Sequence, residues 1–145
     1  MGGRLVRVSV SCGGLGYLFW PGFWGSLAGA ALAWYFSAYF LPVFLAVTAA
    51  GFLLCKPAQD AFGVKDPQRF VLDEVFGMMV CLAGIPLEPG WFLAAFLVYR
   101  LFDVWKPWLI GRVDRMGHPS AIMWDDLAAA VPAVLIVQGA LRLWS

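Results

Sequence analysis

The chain predicts an all-α fold, a small helical membrane protein, and three observations carry that reading. Of its 145 residues 62% are hydrophobic and only 13% charged, with a mean hydropathy of +0.79. Soluble domains carry about twice that charge. No charged residue stands between Arg7 and Lys56, a gap long enough for more than one membrane pass. The remaining apolar runs are helix-length and are divided by Pro and Gly turn signals.

Residues 1–145 amount to one domain by length. A net charge of +1 argues against bulk binding of nucleic acid. Cys12, Cys55 and Cys81 are odd in number, widely spaced and flanked by apolar residues. They read as buried thiols, with neither a disulfide framework nor a zinc site. Arg4 and Arg7 precede an apolar run, but Gly13, Gly14, Gly16 and Pro21 interrupt it, so a cleavable secretory leader is not expected.

Residues 12–26 are rich in Gly and hold Trp20, Pro21, Phe23 and Trp24, which suits an irregular or interfacial segment. Residues 25–55 are helix-compatible except at Pro42. As one helix they would run about 46 Å, against a hydrocarbon core of about 30 Å. Two arms, 26–39 and 42–55, are expected as a re-entrant or tightly turned hairpin; one tilted helix is the alternative. Lys56-Pro57 is expected to stop this element. A helical hairpin over 68–106 follows: one helix at 68–85, a turn at Pro86-Leu87-Glu88-Pro89-Gly90, and a second helix at 91–105 closed by Pro107. Beyond a loop at 108–119, Ser120 is placed to cap a last helix, 121–144, which Pro132 is expected to kink.

The charges are organised by that hairpin. Asp73 and Asp103 each lie fifteen residues from Glu88, so an antiparallel pair brings them to one depth. Glu74, Asp114, Asp125 and Asp126 fall at the same membrane face. Ionised groups inside apolar helices are costly and tend to mark function. Oxygen ligands in this number suit Mg²⁺ or Mn²⁺, and Arg100, Lys106 and Arg115 stand among them as phosphate partners or charge balance. A plainer reading treats these charges as interface anchors, with Arg100 and Asp103 as ordinary i,i+3 neighbours. Asp125 and Asp126 are about 100° apart on a helix and cannot project identically. His118 reads as a surface loop residue, Asp66 and Arg69 either extend the site or begin a helix, and Gly77, Gly84 and Ala94-Ala95 read as close-packing positions. Nine basic residues, from Arg4 to Arg115, fall on one side of this topology and only Arg142 on the other, which makes the former side cytoplasmic.

Several stretches, taken in order, resemble the bacterial phosphatidylglycerophosphatase A family. They are Pro21-Gly22-Phe23-Trp24-Gly25-Ser26-Leu27, Asp66-Pro67, and Phe70-Val71-Leu72-Asp73-Glu74-Val75-Phe76-Gly77. Tyr99-Arg100-Leu101-Phe102-Asp103-Val104-Trp105-Lys106-Pro107, Asp114-Arg115 and Ile122-Met123-Trp124-Asp125-Asp126 complete them. The resemblance implies a Mg²⁺-dependent phosphatase at the bacterial inner membrane, multi-pass, its site facing the cytoplasm, converting phosphatidylglycerophosphate to phosphatidylglycerol. It implies Asp73, Asp103 and Asp126 as catalytic, with Asp73, Glu74, Asp103, Asp114, Asp125 and Asp126 as metal ligands. Arg100, Lys106 and Arg115 would hold the substrate phosphate. Partners would be the phospholipid substrate and the bilayer. The chain departs from the family pattern at Phe23, Trp108, Gly117-His118-Pro119-Ser120 and Ala130. A small transporter using the same carboxylates is the rival reading, and predicts acids spread through the membrane depth. A CDP-alcohol phosphotransferase would need an Asp-Gly helical motif that is absent.

Overall fold

The computed structural model describes residues 2–65, 67–105 and 117–145, and among these it holds six α-helices and no strand. They are α1 (Gly3–Val10), α2 (Pro21–Tyr35), α3 (Phe40–Phe62), α4 (Leu72–Leu82), α5 (Pro89–Trp105) and α6 (Ala121–Trp144). The all-α expectation holds, with corrections to the boundaries.

The short α4 is the centre of the structure. Nine of its eleven residues are buried, and it packs chiefly on α2 and α6, less on α3 and α5. At about 16 Å it is too short to cross a bilayer. The hairpin partners α4 and α5 do face each other, since Gly77 lies under the Tyr99 ring, but each packs more extensively on α6. Apolar helices gain little from meeting each other in lipid, where the tails are equally apolar, so close packing by small residues decides who associates. Gly25 and Gly29 of α2 supply this: a methyl added at Gly29 would stand 2.7 Å from the Val75 carbonyl oxygen and 2.9 Å from Met78 Cβ. On the other side Ala129, Ala130 and Ala133 of α6 join Met78, Cys81, Leu82, Ala95 and Tyr99 in one cluster. A second cluster joins Val6 and Val10 of α1 to Cys55 and Ala58 of α3, and these to Phe76 and Met123.

The break in the first apolar stretch lies at 36–39, as a single 3₁₀ turn, rather than at Pro42. Pro42 sits in the first turn of α3, where backbone N–H groups have no helical acceptor and a missing one costs nothing. The two arms are therefore α2, which ends at Tyr35, and α3, which begins at Phe40; they barely touch and do not form a hairpin. Lys56-Pro57 does not stop α3, which continues to Phe62 and ends at Gly63, φ +68°, whose N–H donates to the Gln59 carbonyl at 2.8 Å. The packing of Val6 and Val10 of α1 on Cys55 and Ala58 offsets the lost proline bond, and the exposed Lys56–Asp60 i,i+4 ion pair adds little to it. Part of the segment expected to be irregular is helical, because Pro21 opens α2 at N1. The expected helix 68–85 begins only at Leu72, since Phe70 N–H closes a turn onto the Pro67 carbonyl at 2.9 Å. Helix α1 had no counterpart in the sequence reading.

Two helical stretches, Ser37–Phe62 and Ala121–Trp144, are long and apolar enough to cross a membrane, and most of each is unburied. A core helix of a soluble protein would be enclosed. Leu41, Leu45 and Leu53 of α3, and Val131, Leu135 and Ile136 of α6, all face outward. Contiguous apolar exposure on that scale marks a lipid-facing surface, and the chain is a membrane protein. The three cysteines are free, two buried and Cys12 half-buried.

Candidate active site

Three helices begin at one end of the molecule, and their first turns line one cleft of about 860 Å³: Pro21-Gly22 of α2, Asp73-Glu74 of α4, and Ala121-Ile122 of α6. Helix N-termini carry unpaired N–H groups and the positive end of the backbone dipole. Their convergence favours a bound anion. The C-terminal turns of α5 close the cleft with Arg100 and Asp103.

Every acidic site residue expected from the sequence and lying within the described residues comes to this cleft: Asp73, Glu74, Asp103, Asp125 and Asp126. Asp114, Lys106 and Arg115, like Asp66, lie outside the described residues. Asp73, Glu74 and Asp126 approach most closely, with one oxygen from each within 4.8 Å of the others. Asp103 stands beside this trio, in contact with Asp126 and ion-paired to Arg100. The i,i+3 pairing and membership of the site are thus both true of Arg100 and Asp103. The difference expected between Asp125 and Asp126 is also present: Asp126 joins the trio, while Asp125 lines the cleft wall.

Local backbone holds these side chains. Asp73 Oδ1 accepts the Glu74 N–H at 3.0 Å, which orients the carboxylate at the head of α4. Gly22 allows Glu74 and Arg100 to reach across α2, since a Cβ there would stand 3.2 Å from Glu74 Oε1 and 2.9 Å from Arg100 Nη1. Burial raises the Asp73 carboxyl well above the usual range, and the charges of Asp126 and Glu74 add to this. Burial likewise lifts Glu74 to about 7, with its hydrogen bond to Asp73 opposing. Both lie in the first turn of α4, outside the two apolar spans.

Such a cluster needs a positive partner to stay ionised. Glu74 Oε2 and Asp126 Oδ2 are buried and have no hydrogen-bond partner among the described residues. Unsatisfied buried carboxylate oxygens are expensive, and an all-oxygen donor set suits a hard divalent cation. The residues present therefore fit a metal ion.

Other residues reach the cleft that the sequence reading left out. Lys65 and Gln59 line its rim, as does His118, which is exposed, as expected of a loop residue, and yet faces the site. His118 Nδ1 accepts the Ser120 N–H at 3.2 Å and lies 2.7 Å from Ser120 Oγ. Ser120 thus spends its hydroxyl on the histidine and makes no side-chain cap to α6. Arg69 turns away and stacks on Tyr17, 4.6 Å from the ring centre, so it neither extends the site nor begins α4. Gly77 is a close-packing position, whereas Gly84, φ +74°, serves a turn with only ordinary contact around it.

A helical membrane protein with a carboxylate trio, an arginine and three helix N-termini in one cleft belongs to the class equipped for phosphoryl chemistry. Residues 8–141 match the phosphatidylglycerophosphatase A family, and the chain belongs to that family. It is 40% identical over 131 residues to the phosphatidylglycerophosphatase A of Haemophilus influenzae, covering 86% of this chain and 80% of that one. It is 37% identical over 119 residues to the Escherichia coli enzyme of the same name, covering 77% and 68%. No solved structure matches it.

Proposed function

We propose that this protein is a phosphatidylglycerophosphatase, hydrolysing the terminal phosphomonoester of phosphatidylglycerophosphate to phosphatidylglycerol and phosphate with Mg²⁺ as cofactor. The observation that carries the reading is the meeting of Asp73, Glu74 and Asp126 oxygens within 4.8 Å beside Arg100, in a member of this family. The acids collect in one cleft at one end of the helices, which favours an enzyme over a transporter with carboxylates spread through the membrane depth.

Asp73, Glu74 and Asp126 would hold the cation, with Asp125, Asp103 and Asp114 completing the acidic shell. Bound there, Mg²⁺ supplies Lewis-acid stabilisation of charge on the phosphoryl oxygens. Arg100, steadied by Asp103, presents its planar N–H fork to the remaining oxygens, and Lys106 and Arg115 serve the same phosphate. Asp73, Asp103 and Asp126 carry the proton and nucleophile work. In the net reaction one water is consumed: its oxygen bonds to phosphorus, the P–O bond to the glycerol oxygen breaks, and a proton from that water passes through these carboxylates to the departing glycerol oxygen.

The reading extends to the whole chain as one multi-pass domain of the bacterial inner membrane. The cleft end carries Lys65, Arg69 and Arg100, while Arg142 lies at the far end of α6, which supports a cytoplasmic site. Purified protein in detergent, stripped of metal, should release phosphate from phosphatidylglycerophosphate only when Mg²⁺ is restored. Silence on this lipid and on phosphatidic acid, with and without Mg²⁺, would overturn the assignment.

A further inference from the structure

The cleft that holds the carboxylates also has an apolar wall, and that wall opens sideways toward lipid. On α5, Leu97, Arg100 and Val104 follow at i, i+3 and i+7 and so share one helix face; all three line the cleft. Leu97 is 57% exposed and Val104 71%, which no enclosed pocket wall would be. The opposite lip is Trp20, 66% exposed and held with φ +55° in the left-handed region. Bulky residues adopt that conformation only under constraint, and such strain gathers at ligand sites. Below them Phe23 and Phe96 meet edge to face at 5.5 Å, giving the cleft a floor between α2 and α5.

Depth decides what this opening is for. Leu97 lies six residues below Asp103 on α5, about 9 Å along the axis. The headgroup layer is about 5–7 Å thick on each side of the hydrocarbon. Carboxylates at phosphate level therefore put Leu97 at the depth where acyl chains begin.

We infer that the gap between Trp20, which precedes α2, and Leu97 of α5 is a lateral portal that seats the upper acyl chains of a phospholipid while its phosphate occupies the carboxylate site. The inference rests on the lipid-phosphatase reading. The occupant is amphipathic, as the cleft is: anionic at the Arg100 end, where three helix N-termini converge, and apolar where Leu97 faces the bilayer beside Phe23 and Phe96. From Arg100 down to Leu97 the wall passes from charged to apolar, as the lipid passes from phosphate to acyl chain, while Val104, four residues beyond Arg100, stands at headgroup level.

The test is Leu97→Trp, which fills the gap from an exposed position, with Leu135→Trp on the outer face of α6 as control. Both are assayed on dioleoyl phosphatidylglycerophosphate and on its deacylated form, which keeps the phosphomonoester and lacks both acyl chains. Leu97→Trp should lower kcat/KM on the dioleoyl lipid about tenfold, the scale of an altered apolar contact, and leave the deacylated substrate near wild type. Leu135→Trp should change neither. Equal loss on both substrates, or loss on neither, would overturn the portal. A diazirine placed near the ester of one acyl chain of phosphatidylglycerophosphate gives a readout independent of turnover. Adducts at 20–23 and 96–104 that excess unlabelled lipid competes away support the portal even if no phosphate is released, in which case the function reading alone falls. Adducts confined to the outer faces of α3 and α6 would overturn the portal.

Discussion

Replacing Gly25 by Ala tests whether α2 holds the acidic end of α4 in place. A methyl at Gly25 would stand 2.9 Å from Glu74 Cβ, 3.0 Å from Val71 Cβ and 3.1 Å from the Val71 carbonyl oxygen. Carbon atoms rest about 3.5–4.0 Å apart, so relief requires a shift of roughly 0.5–1 Å. None of the three atoms can be rotated away, because each is either main chain or fixed directly to it. The helices themselves must part, at the turn that carries Asp73 and Glu74. Overpacking of this kind costs about 1–3 kcal/mol, and a displacement near 1 Å at a reacting group can cost on the order of 10²-fold in rate. The assay pairs thermal inactivation in detergent with kcat/KM for phosphate release. Gly139→Ala is the control: nothing lies within 4 Å of its added methyl, and a helical Gly→Ala change should stabilise by up to about 1 kcal/mol. If Gly25→Ala keeps both wild-type stability and wild-type activity, α2 does not position the acidic turn.

Three further outcomes are expected. Asp103→Asn removes the charge that pairs with Arg100, and should lower kcat at least about 10²-fold, on the scale of losing an electrostatic group from an active site; full activity would take Asp103 out of the mechanism. Arg100→Lys keeps the charge but loses the planar fork, so kcat/KM should fall by about tenfold or more, corresponding to about 1.4 kcal/mol, and unchanged kinetics would show that Arg100 only balances Asp103. Tyr99→Phe removes a fully buried hydroxyl that has no partner among the described residues; stability should hold or rise by about 1 kcal/mol, and a clear loss on thermal inactivation would reveal a bond to that oxygen.

The acidic half of the site was legible because it breaks a rule. Asp73 and Asp103 stand in apolar helices at equal distances from Glu88, so charge and counting together brought them to one depth, and the structure places both at the cleft. The contribution of α2 was not legible by the same means. Gly22, Gly25 and Gly29 have no side-chain chemistry to notice, and their role exists only relative to Glu74, Arg100, Val75 and Met78 on other helices. A signal was present in the Gly25-Ser26-Leu27-Ala28-Gly29 spacing, which is the small-xxx-small pattern of close helix pairs. Pro57 shows the opposite error. Its local propensity ends a helix, and tertiary packing of Val6 and Val10 against Cys55 and Ala58 overrode it.

Apolar composition establishes the membrane but not which helix touches it. The apolar side chains of α4 and of α3 are alike in kind, yet those of α4 are enclosed by protein while Leu41, Leu45 and Leu53 of α3 face outward. Lipid tails and leucine side chains are equally apolar, so no transfer energy separates the two cases; what does is the fit of small residues against α4 on two sides. That arrangement explains how several carboxylates can share one end of so greasy a chain. Asp73 and Glu74 head a helix that never spans, walled from lipid by α2 and α6, with helix N-termini and Arg100 supplying the positive field that the bilayer cannot. Among the described residues lining the cleft, Leu97 on α5 is exposed below the level of Asp103, the opening that the proposed substrate, charged at one end and oily at the other, requires.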